Sequence, residues 1–382
     1  MTVIGISGSY GGLNAGDEAI LSCIVDQLNG AFPDADLVVF SRNPRHTTEH
    51  HGVDRGIPVR EATGDQVVPE VERLDLLLLG GGGILYDEEV HNYLREVELV
   101  HERGIPAVAY AIGVGPLREQ EDRQAVREAL NGMDAVTVRD VETKRAFEEV
   151  GVRREVVVTA DPAWLLTPVD FSEEMLEKEG VSSGRPLVGV SVRERGGAAP
   201  SLEGSAYHGM VAAAADFVVA RFEADVVFVP MERRDVTEAH RVMAEMAAPD
   251  RAHVLTGRYG PRQLLGLMQH FDLAVGMRLH FLIFAALAGV PLLALPYASK
   301  VEGFLEALGL PAPSTLQQQP GPLLAAIDRL WDRRDECRRL LADRVPTLQK
   351  RADESVEIVQ EVLEFRAREG ARAAEPRSGS GS

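Results

Sequence analysis

The sequence predicts an α/β protein made of two Rossmann-like halves, each with a parallel sheet covered by helices. Short apolar runs alternate with amphipathic stretches along the chain, which is typical of strands separated by helices. The predicted strands are apolar throughout, and such strands belong to parallel sheets that are buried on both faces. A polar stretch near residues 167–185 interrupts the alternation, which then restarts, so we expect two domains joined by a linker.

The first half follows this alternation closely. The predicted strands are Val3–Ser7, Leu37–Phe40, Leu74–Leu79, Pro106–Ile112, Ala135–Arg139 and Val156–Thr159. The predicted helices are Ala15–Leu28, Glu89–Arg103, Glu121–Leu130 and Val141–Val150. Gly151 comes directly after the last of these helices, where glycine is the usual residue for a helix end.

The second half repeats the pattern and ends in a long amphipathic helix. Its predicted strands are Leu187–Val192, Asp225–Val229, Leu273–Val275 and Pro291–Leu295. Its predicted helices are Gly209–Phe222, Val236–Ala247, Pro261–Gln269, Phe281–Ala288 and Val345–Phe365. We therefore predict domains at 1–168 and 186–344, a linker at 169–185, a C-terminal helix at 345–366 and a flexible tail at 367–382.

Composition excludes several classes of function. Among 382 residues, 40 are basic and 59 acidic, and the net charge of −19 argues against binding to nucleic acid or to an anionic membrane surface. The two cysteines, Cys23 and Cys337, are too few for a disulfide framework and suggest a reducing compartment. No leader pattern precedes the first strand, and the longest apolar runs are shorter than the ~20 residues of a membrane span. We expect a cytoplasmic protein whose membrane contact, if it has one, is peripheral and at the inner face.

The loop after the first strand is a candidate binding site. Asn14 can cap the helix that follows, and Asp17 and Glu18 lie in its first turn. Two acids at this position disfavour a phosphate and suit the hydroxyls of an uncharged sugar. The alternative is that both acids only stabilise the helix dipole.

Glycine-rich loops follow two further predicted strands. Gly80–Gly83 follows Leu79, which indicates that a ligand or a second backbone segment lies close to that strand end, although a tight turn is the simpler alternative. Ile112–Pro116 repeats the pattern. Arg139 ends the next strand, where it is placed either to bind an anion or to pair with Asp140.

The strongest candidates lie in the second half, because ligands bind beyond the carboxyl ends of strands in sheets of this kind. Arg193 follows one strand, and Arg278 and His280 lie between another strand and its helix, where free N–H groups favour an anion. The neighbouring residues are apolar, so the Arg278 charge requires a partner, for which a ligand carboxylate or phosphate is suitable. Lys300, one of only four lysines, follows the next strand. The alternatives are a core histidine and a surface lysine.

Three histidines in the first half offer a weaker signal. His46, His50 and His51 cluster in an arginine-rich segment, but their spacing matches no common metal site, and we expect a solvated loop. Cys23 lies on the apolar face of a helix and is predicted to belong to the core. We predict no metal site.

The ordered motifs resemble those of the polysaccharide pyruvyl transferases, in particular the branch that modifies bacterial cell-wall polysaccharides for S-layer anchoring. The matching segments are Asn14–Ile20, Leu79–Gly83, Ala111–Pro116, Val138–Asp140, Ala160–Ala163, Gly276–His280 and Tyr297–Val301. Each segment is modest alone, but their order along most of the chain is specific.

The resemblance implies a GT-B-like fold, with the two Rossmann-like domains facing each other across a cleft. It implies phosphoenolpyruvate as the donor, a ketal formed across two hydroxyls of one sugar, and release of phosphate, with no tightly bound cofactor. The acceptor would be a glycan or lipid-linked glycan bound at the first domain by Asn14, Asp17, Glu18, Gly81 and Gly82. The second domain would bind the donor, and an oligomer is compatible with the sequence.

The resemblance also assigns roles to individual residues. Arg278 and His280 fall on the family's Arg-Leu-His element and are the expected catalytic residues. The expected donor-binding residues are Arg193, Arg278, Leu279, Lys300 and Arg139. Histidine changes its charge near neutral pH, so His280 is suited to general acid or base catalysis.

Other functions remain open at this point. A nucleotide-sugar glycosyltransferase with the same fold is the strongest competitor, because the glycine-rich loops do not exclude a nucleotide diphosphate. A non-catalytic protein that clamps a sugar or an anion is the second alternative, although the lack of a leader pattern and the placement of His280 beside Arg278 argue against it. A family member that acts only as a scaffold is the third.

Overall fold

The computed structural model describes the backbone of residues 2–59, 62–182, 184–194, 204–295, 299–311 and 320–374. Side chains are described over the same ranges except at 204–206, 299–300 and 370–374. The chain divides into two units, each described by itself below. Unit 1 comprises Met1–Gly12, Leu21–Pro162 and Lys350–Ser382, and unit 2 comprises Leu13–Ile20 and Ala163–Gln349. The predicted domain and linker bounds stay a prediction.

Unit 1 is built on a parallel sheet. Its strands are β1 (Val3–Ser7), β2 (Asp36–Ser41), β3 (Arg55–Pro58), β4 (Leu76–Leu85), β5 (Ala107–Val114), β6 (Ala135–Val138) and β7 (Val156–Val158). Helix α1 (Ala15–Ala31) begins in unit 2 and belongs to unit 1 from Leu21 onward. The other helices of unit 1 are α2 (Pro44–His51), α3 (Gly64–Val71), α4 (Val90–Glu102), α5 (Gln120–Gly132) and α6 (Val141–Val150). The strand order is β3-β2-β1-β4-β5-β6-β7, so the direction of winding reverses between β1 and β4.

The centre of this sheet is buried on both faces, which explains its uninterrupted apolar strands. Ile4 of β1 pairs in register with Leu37 of β2 on one side and Leu76 of β4 on the other, and all three are buried. Helices on the two faces complete a core in which Leu94 of α4 and Phe147 of α6 are fully covered. Burying such side chains is worth roughly 1.5–3 kcal/mol each.

The glycine run 80–83 is part of a strand, so the prediction of a loop after Leu79 is wrong. β4 continues through all four glycines to Leu85, with a register shift against β5 between Gly83 and Leu85. A Cβ atom at Gly80 would overlap the hydroxyl of Tyr10. Gly82 has φ of 87°, a conformation that glycine adopts without strain. The glycines therefore let other groups lie directly against an extended strand.

Unit 2 has a smaller parallel sheet. Its strands are β8 (Leu187–Ser191), β9 (Asp225–Phe228), β10 (Ala252–Val254), β11 (Leu273–Gly276) and β12 (Leu292–Ala294). Its helices are α7 (Glu173–Lys178), α8 (Gly204–Phe222), α9 (Arg233–Glu245), α10 (Pro261–Met268), α11 (Leu279–Leu287), α12 (Ser299–Leu308) and α13 (Gly321–Asp332). The order β10-β9-β8-β11-β12 repeats the winding of unit 1, with its reversal between β8 and β11.

The polar stretch that the sequence marks as a linker is anchored to unit 2. The Glu179 carboxylate accepts hydrogen bonds from the backbone N–H groups of Thr256 (2.7 Å) and Gly257 (2.9 Å) and from the Tyr259 hydroxyl (2.6 Å). Burial would raise the pKa of Glu179, but these hydrogen bonds lower it. The stretch also contains the short helix α7, and its described residues belong to unit 2.

The long helix α14 (Arg334–Ala374) begins in unit 2 and continues into unit 1. It starts well before the predicted Val345. Within unit 1, Ser355 is fully buried and its hydroxyl donates to Oγ1 of Thr159 (2.9 Å), while Arg351 donates to the Thr159 carbonyl (2.7 Å). The C-terminal part of α14 is therefore fixed against the end of β7.

The fold class is confirmed: the chain is an α/β protein with two parallel sheets flanked by helices. The expected loop at His46, His50 and His51 is wrong, since these residues lie on α2. There the His51 ring Nδ1 lies 3.1 Å from the Ser22 hydroxyl, and the His46 and His50 rings stack at 4.2 Å. Cys23 is buried, as predicted. Within the described ranges, no helix is both long enough and apolar enough to cross a membrane.

Gly266 of α10 offers a test of how closely this helix packs on the linker stretch. A Cβ atom there would overlap the carbonyl oxygen of Val169, whose N–H is held by the Arg262 carbonyl (3.0 Å). We predict that Gly266→Ala lowers the free energy of unfolding by about 2 kcal/mol. Urea unfolding measures this. Gly30→Ala is the control, because nothing lies within 4 Å of that position in α1 and alanine favours a helix; equal midpoints for the two variants would contradict the packing.

Candidate active site

The candidate site of unit 2 lies at the carboxyl end of its sheet, where β11 leads into α11. Arg278 has an extended backbone and precedes the helix, and Leu279 and His280 form the first turn of α11. The rest of the helix is apolar and buried, which fixes this end against the sheet. The free N–H groups of a helix start and a cationic side chain therefore occur together.

Arg278 is paired with protein carboxylates, which compensate its charge within unit 2; a ligand anion as a further partner stays a prediction. Its side chain is 10% exposed. Nε donates to Oδ2 of Asp235 (3.1 Å), and Nη2 donates both to Oδ1 of Asp235 (2.5 Å) and to Glu232. Among the described residues, Nη1 has no hydrogen-bond acceptor.

Asp235 is held as an ionised carboxylate. Its side chain is 1% exposed, and Oδ2 also accepts from the backbone N–H groups of Met231 (3.0 Å) and Glu232 (3.2 Å). Burial raises the pKa of Asp235, and pairing with Arg278 opposes that shift. Both carboxylate oxygens accept from N–H donors, and one of these donors is the charged Arg278, so the geometry is that of the charged form.

Glu232 connects this pair to the start of α1. Nδ2 of Asn14 donates to Oε2 of Glu232 (3.3 Å), and the N–H of Ala15 donates to the Met231 carbonyl (2.8 Å). Oδ1 of Asn14 caps α1 by accepting from the N–H of Gly16 (2.9 Å). The loop after β9 therefore holds both the start of α1 and the guanidinium group of Arg278.

His280 packs against the first turn of α1. A Cβ atom at Gly16 would overlap Cγ and Nδ1 of the His280 ring, so the ring lies directly on the glycine backbone. Any other residue at position 16 would displace the imidazole. The glycine of the Asn14–Ile20 motif is thus explained by contact with the histidine of the Gly276–His280 motif.

The charges of the cluster reinforce one another. Burial would lower the pKa of Arg278, but Asp235 and Glu232 raise it, so the guanidinium stays charged. Burial would also raise the pKa of Glu232, but Arg278, the Asn14 hydrogen bond and the charge of Arg193 lower it. Arg193, beyond the end of β8, therefore contributes to the same electrostatic environment.

The other predicted donor residues divide between the two units. Leu279 is buried in the first turn of α11. The backbone of Lys300 lies in α12, but its side chain is outside the described residues. Arg139 belongs to unit 1, whereas Arg193, Arg278 and Leu279 belong to unit 2.

Arg139 is deeply buried in an ion-pair network at the end of β6. Its side chain is 4% exposed, and it donates to Asp140 (3.2 Å, from Nε) and to Asp161 (3.2 Å, from Nη1). A Cβ atom at Gly113 would lie 2.6 Å from Nε, so the glycine of β5 makes room for the guanidinium. The sequence offered pairing with Asp140 as one of two alternatives for Arg139. The structure shows this ion pair, and Asp161 is a second carboxylate partner of the same guanidinium group.

The residues predicted to bind the acceptor are also divided between the two units. Asn14, Asp17 and Glu18 lie at the start of α1 and belong to unit 2. Glu18 is 4% exposed and its Oε1 accepts from the Leu13 N–H (3.3 Å), so it stabilises the turn before α1. Gly81 and Gly82 are buried in β4 of unit 1.

Glu232 and Asp235 are members of the cluster that the sequence did not reveal. They lie at the start of α9, directly after β9, at the same edge of the sheet as Arg278. Their position beyond a predicted strand was an available signal. Acidic residues at a helix start are common for dipole reasons alone, however, so that signal is weak.

Solved structures of other proteins share the fold of this chain. The chain is similar to the UDP-GlcNAc 2-epimerase of Neisseria meningitidis bound to UDP-GlcNAc (TM-score 0.63, 10% identity, covering 96% of this chain and 100% of the other). It is also similar to a glycosyltransferase from Rickettsia africae (TM-score 0.64, 11% identity, covering 95% of this chain and 98% of the other). A third similar structure is HepE from Anabaena in complex with UDP and glucose (TM-score 0.61, 14% identity, covering 94% of this chain and 99% of the other). The fold is that of the GT-B glycosyltransferases and related epimerases.

The family follows from the sequence. The model of the polysaccharide pyruvyl transferase family matches residues 14–299, which include both the Asn14 turn and the Arg278–His280 turn. The chain therefore belongs to the polysaccharide pyruvyl transferase family. A search of curated proteins finds no sequence that matches this chain significantly.

The Arg139 network supports a stability prediction for unit 1. Asp161→Asn removes one partner of a buried guanidinium and leaves Asp140, so we expect the free energy of unfolding to fall by about 3 kcal/mol in urea titrations. Asp335→Asn, which removes the partner of the exposed Arg338 (2.9 Å), is the control and is expected to change it by less than about 0.5 kcal/mol. A midpoint of Asp161→Asn equal to that of the control would show that Arg139 does not depend on Asp161.

Proposed function

We propose that this protein transfers a pyruvyl group from phosphoenolpyruvate to a sugar, forming a pyruvate ketal and releasing phosphate. The observation that carries the proposal is the turn Arg278–His280. In a chain of this family, it combines a guanidinium group whose Nη1 has no acceptor among the described residues, an imidazole and a helix start at one strand end. The proposed acceptor is a cell-wall polysaccharide or its lipid-linked precursor at the inner face of the membrane, in the manner of the S-layer-anchoring branch.

The donor needs several cationic or N–H groups in a small space, because it carries a carboxylate and a phosphate on three carbons. Arg278 supplies Nη1, and Arg193 supplies a second charge close enough to lower the pKa of Glu232. The start of α11 adds backbone N–H groups, which favour anions. Lys300 is a further candidate, as the predicted motif places it after β12. These groups require no tightly bound cofactor.

The chemistry is a balanced exchange at C2 of the donor. A proton adds to the methylene carbon and converts it to a methyl group, which leaves positive charge at C2. One sugar hydroxyl attacks C2, the bond from C2 to the phosphate oxygen breaks, and the second hydroxyl then closes the ketal. Of the two hydroxyl protons, one balances the proton on the new methyl group and the other leaves with phosphate.

His280 is the proposed general acid or base for these proton transfers. Its ring is held in place by contact with the Gly16 backbone, so the imidazole is positioned before substrate binds. Arg278, Arg193 and the start of α11 would stabilise charge on the departing phosphate. Asn14 and Glu232, which hydrogen-bond to each other beside this turn, are suited to contact sugar hydroxyls.

A nucleotide-sugar transferase is the second candidate. The specific observation in its favour is that structures of similar fold are complexes with UDP or UDP-GlcNAc. The two candidates differ in donor, so thermal-shift screening of phosphoenolpyruvate against UDP- and GDP-sugars separates them. Stabilisation by a nucleotide sugar and not by phosphoenolpyruvate would replace the proposal with this alternative.

The central test follows phosphate release from phosphoenolpyruvate with a panel of synthetic and lipid-linked glycans, with mass spectrometry to detect the ketal. We predict that His280→Ala retains phosphoenolpyruvate binding by calorimetry but lowers turnover on the order of 100- to 10,000-fold, the range for loss of a general acid or base. Arg278→Ala should instead weaken donor binding. Parental turnover by His280→Ala would remove the proposed role of this residue.

Gly16 provides a test that leaves the catalytic side chain in place. Gly16→Ala inserts a methyl group where the His280 ring lies, so we predict at least a tenfold loss of phosphate release, since small displacements of a catalytic group are costly. Gly30→Ala, in the same helix but with open space around it, should keep the parental rate. Similar rates for both variants would mean that the position of His280 does not matter for turnover.

A further inference from the structure

The two carboxylates that pair with Arg278 are held in very different ways. Asp235 is 1% exposed and is fixed by two backbone N–H groups in addition to Nε and Nη2 of Arg278. Glu232 is 29% exposed, and within the described part of the chain its carboxylate accepts hydrogen bonds from the side chains of Arg278 and Asn14. Asp235 is thus part of the folded framework, whereas Glu232 is bound by groups that can exchange partners.

Both carboxylates use the same nitrogen of the guanidinium group. Nη2 donates to Asp235 and to Glu232, while Nη1 has no acceptor among the described residues. An anion that approaches the Nη1–Nη2 edge of Arg278 and binds in the forked geometry requires two N–H groups, one from Nη1 and one from Nη2. The second of these is the one that Glu232 occupies.

The negative charges of Glu232 and of a bound anion also oppose each other. A carboxylate or phosphate placed at the Nη1–Nη2 edge would lie beside Glu232, and two like charges so close to each other are unfavourable in a partly buried site. Asn14 can continue to hold Glu232 after it leaves Arg278, because its amide contacts the other carboxylate oxygen, Oε2. Arg193, whose charge already acts on Glu232, lies in the same environment.

We propose that Asp235 is the permanent positioning partner of Arg278 and that Glu232 is an exchangeable partner, which the anionic donor displaces from the guanidinium group when it binds. Glu232 then lowers the affinity for the donor, because the two compete for the Arg278 guanidinium group. When no donor is present, Glu232 helps to neutralise the charge of Arg278. This inference rests on the proposed function, since it takes phosphoenolpyruvate as the displacing anion.

The test measures phosphoenolpyruvate affinity by titration calorimetry for the full chain and its variants. Glu232→Gln removes the competing charge and keeps an amide in its place, so we expect the dissociation constant to fall about fivefold, the factor that corresponds to losing one partly exposed ion pair. Asp235→Asn removes the positioning carboxylate, so the constant should rise by about tenfold or more. Asp235→Glu should recover part of that loss.

Glu238→Gln is the matched control, because Glu238 is a buried carboxylate of the same helix whose partners are His208 (2.8 Å) and Arg241 (2.6 Å). It is expected to leave the affinity unchanged. Glu232→Ala is a second variant without the competing carboxylate, and thermal unfolding checks that each variant folds.

The outcomes separate the inference from the proposed function. A folded parent protein that binds no phosphoenolpyruvate overturns both. A parent that binds it, with Glu232→Gln and Glu232→Ala binding equally or more weakly, overturns the exchange and leaves the function standing. Tighter binding in both Glu232 variants, together with weaker binding in Asp235→Asn, supports the exchange.

Discussion

The need to compensate one buried positive charge organises the candidate site of unit 2. A guanidinium group in the position of Arg278 loses most of its hydration, and its cost is offset only if carboxylates and hydrogen bonds replace the water. Asp235 meets this need with both oxygens, and the backbone N–H groups of Met231 and Glu232 hold Asp235 in turn. Glu232, the second carboxylate partner of Arg278, accepts a hydrogen bond from Asn14, and this contact links the site to the start of α1. The charge of one side chain thus fixes three separate segments of the chain.

Repeated topology explains why this cluster can form at all. In the order β10-β9-β8-β11-β12, the strands that precede Glu232, Arg193 and Arg278 are adjacent, and parallel strands bring their carboxyl ends to one edge of the sheet. Unit 1 has the same winding, but at the carboxyl edge of its sheet an arginine is enclosed in an ion-pair network. There Arg139 is enclosed by Asp140, Asp161 and the glycine of β5, so its guanidinium group contributes to stability within that unit.

The sequence predicted most of the secondary structure because buried parallel strands are continuous apolar runs, and β1 was predicted with its observed bounds. It missed β3 and β10, which are short and contain Arg55 and His253 respectively, so neither resembles an apolar run. The glycines of β4 favour a loop when the sequence is considered alone, because only the tertiary structure brings Tyr10 and Arg139 against them. Arg278 and His280 were identifiable from a local motif. The carboxylate partners of Arg278 were not, since Glu232 and Asp235 lie more than 40 residues away along the chain and only the strand order of the folded sheet brings them near Arg278.

The passage of α14 from one unit to the other has a consequence for biosynthesis. Unit 1 includes Lys350–Ser382, and Ser355 and Arg351 close the end of β7 through Thr159. A ribosome that translates this chain therefore completes all of unit 2 before it has synthesised the last segment of unit 1. For this protein the usual order of folding during synthesis, N-terminal part first, leaves the end of β7 exposed until translation is nearly finished. A chain that stalls after residue 349 would carry a finished second unit and an unfinished first one.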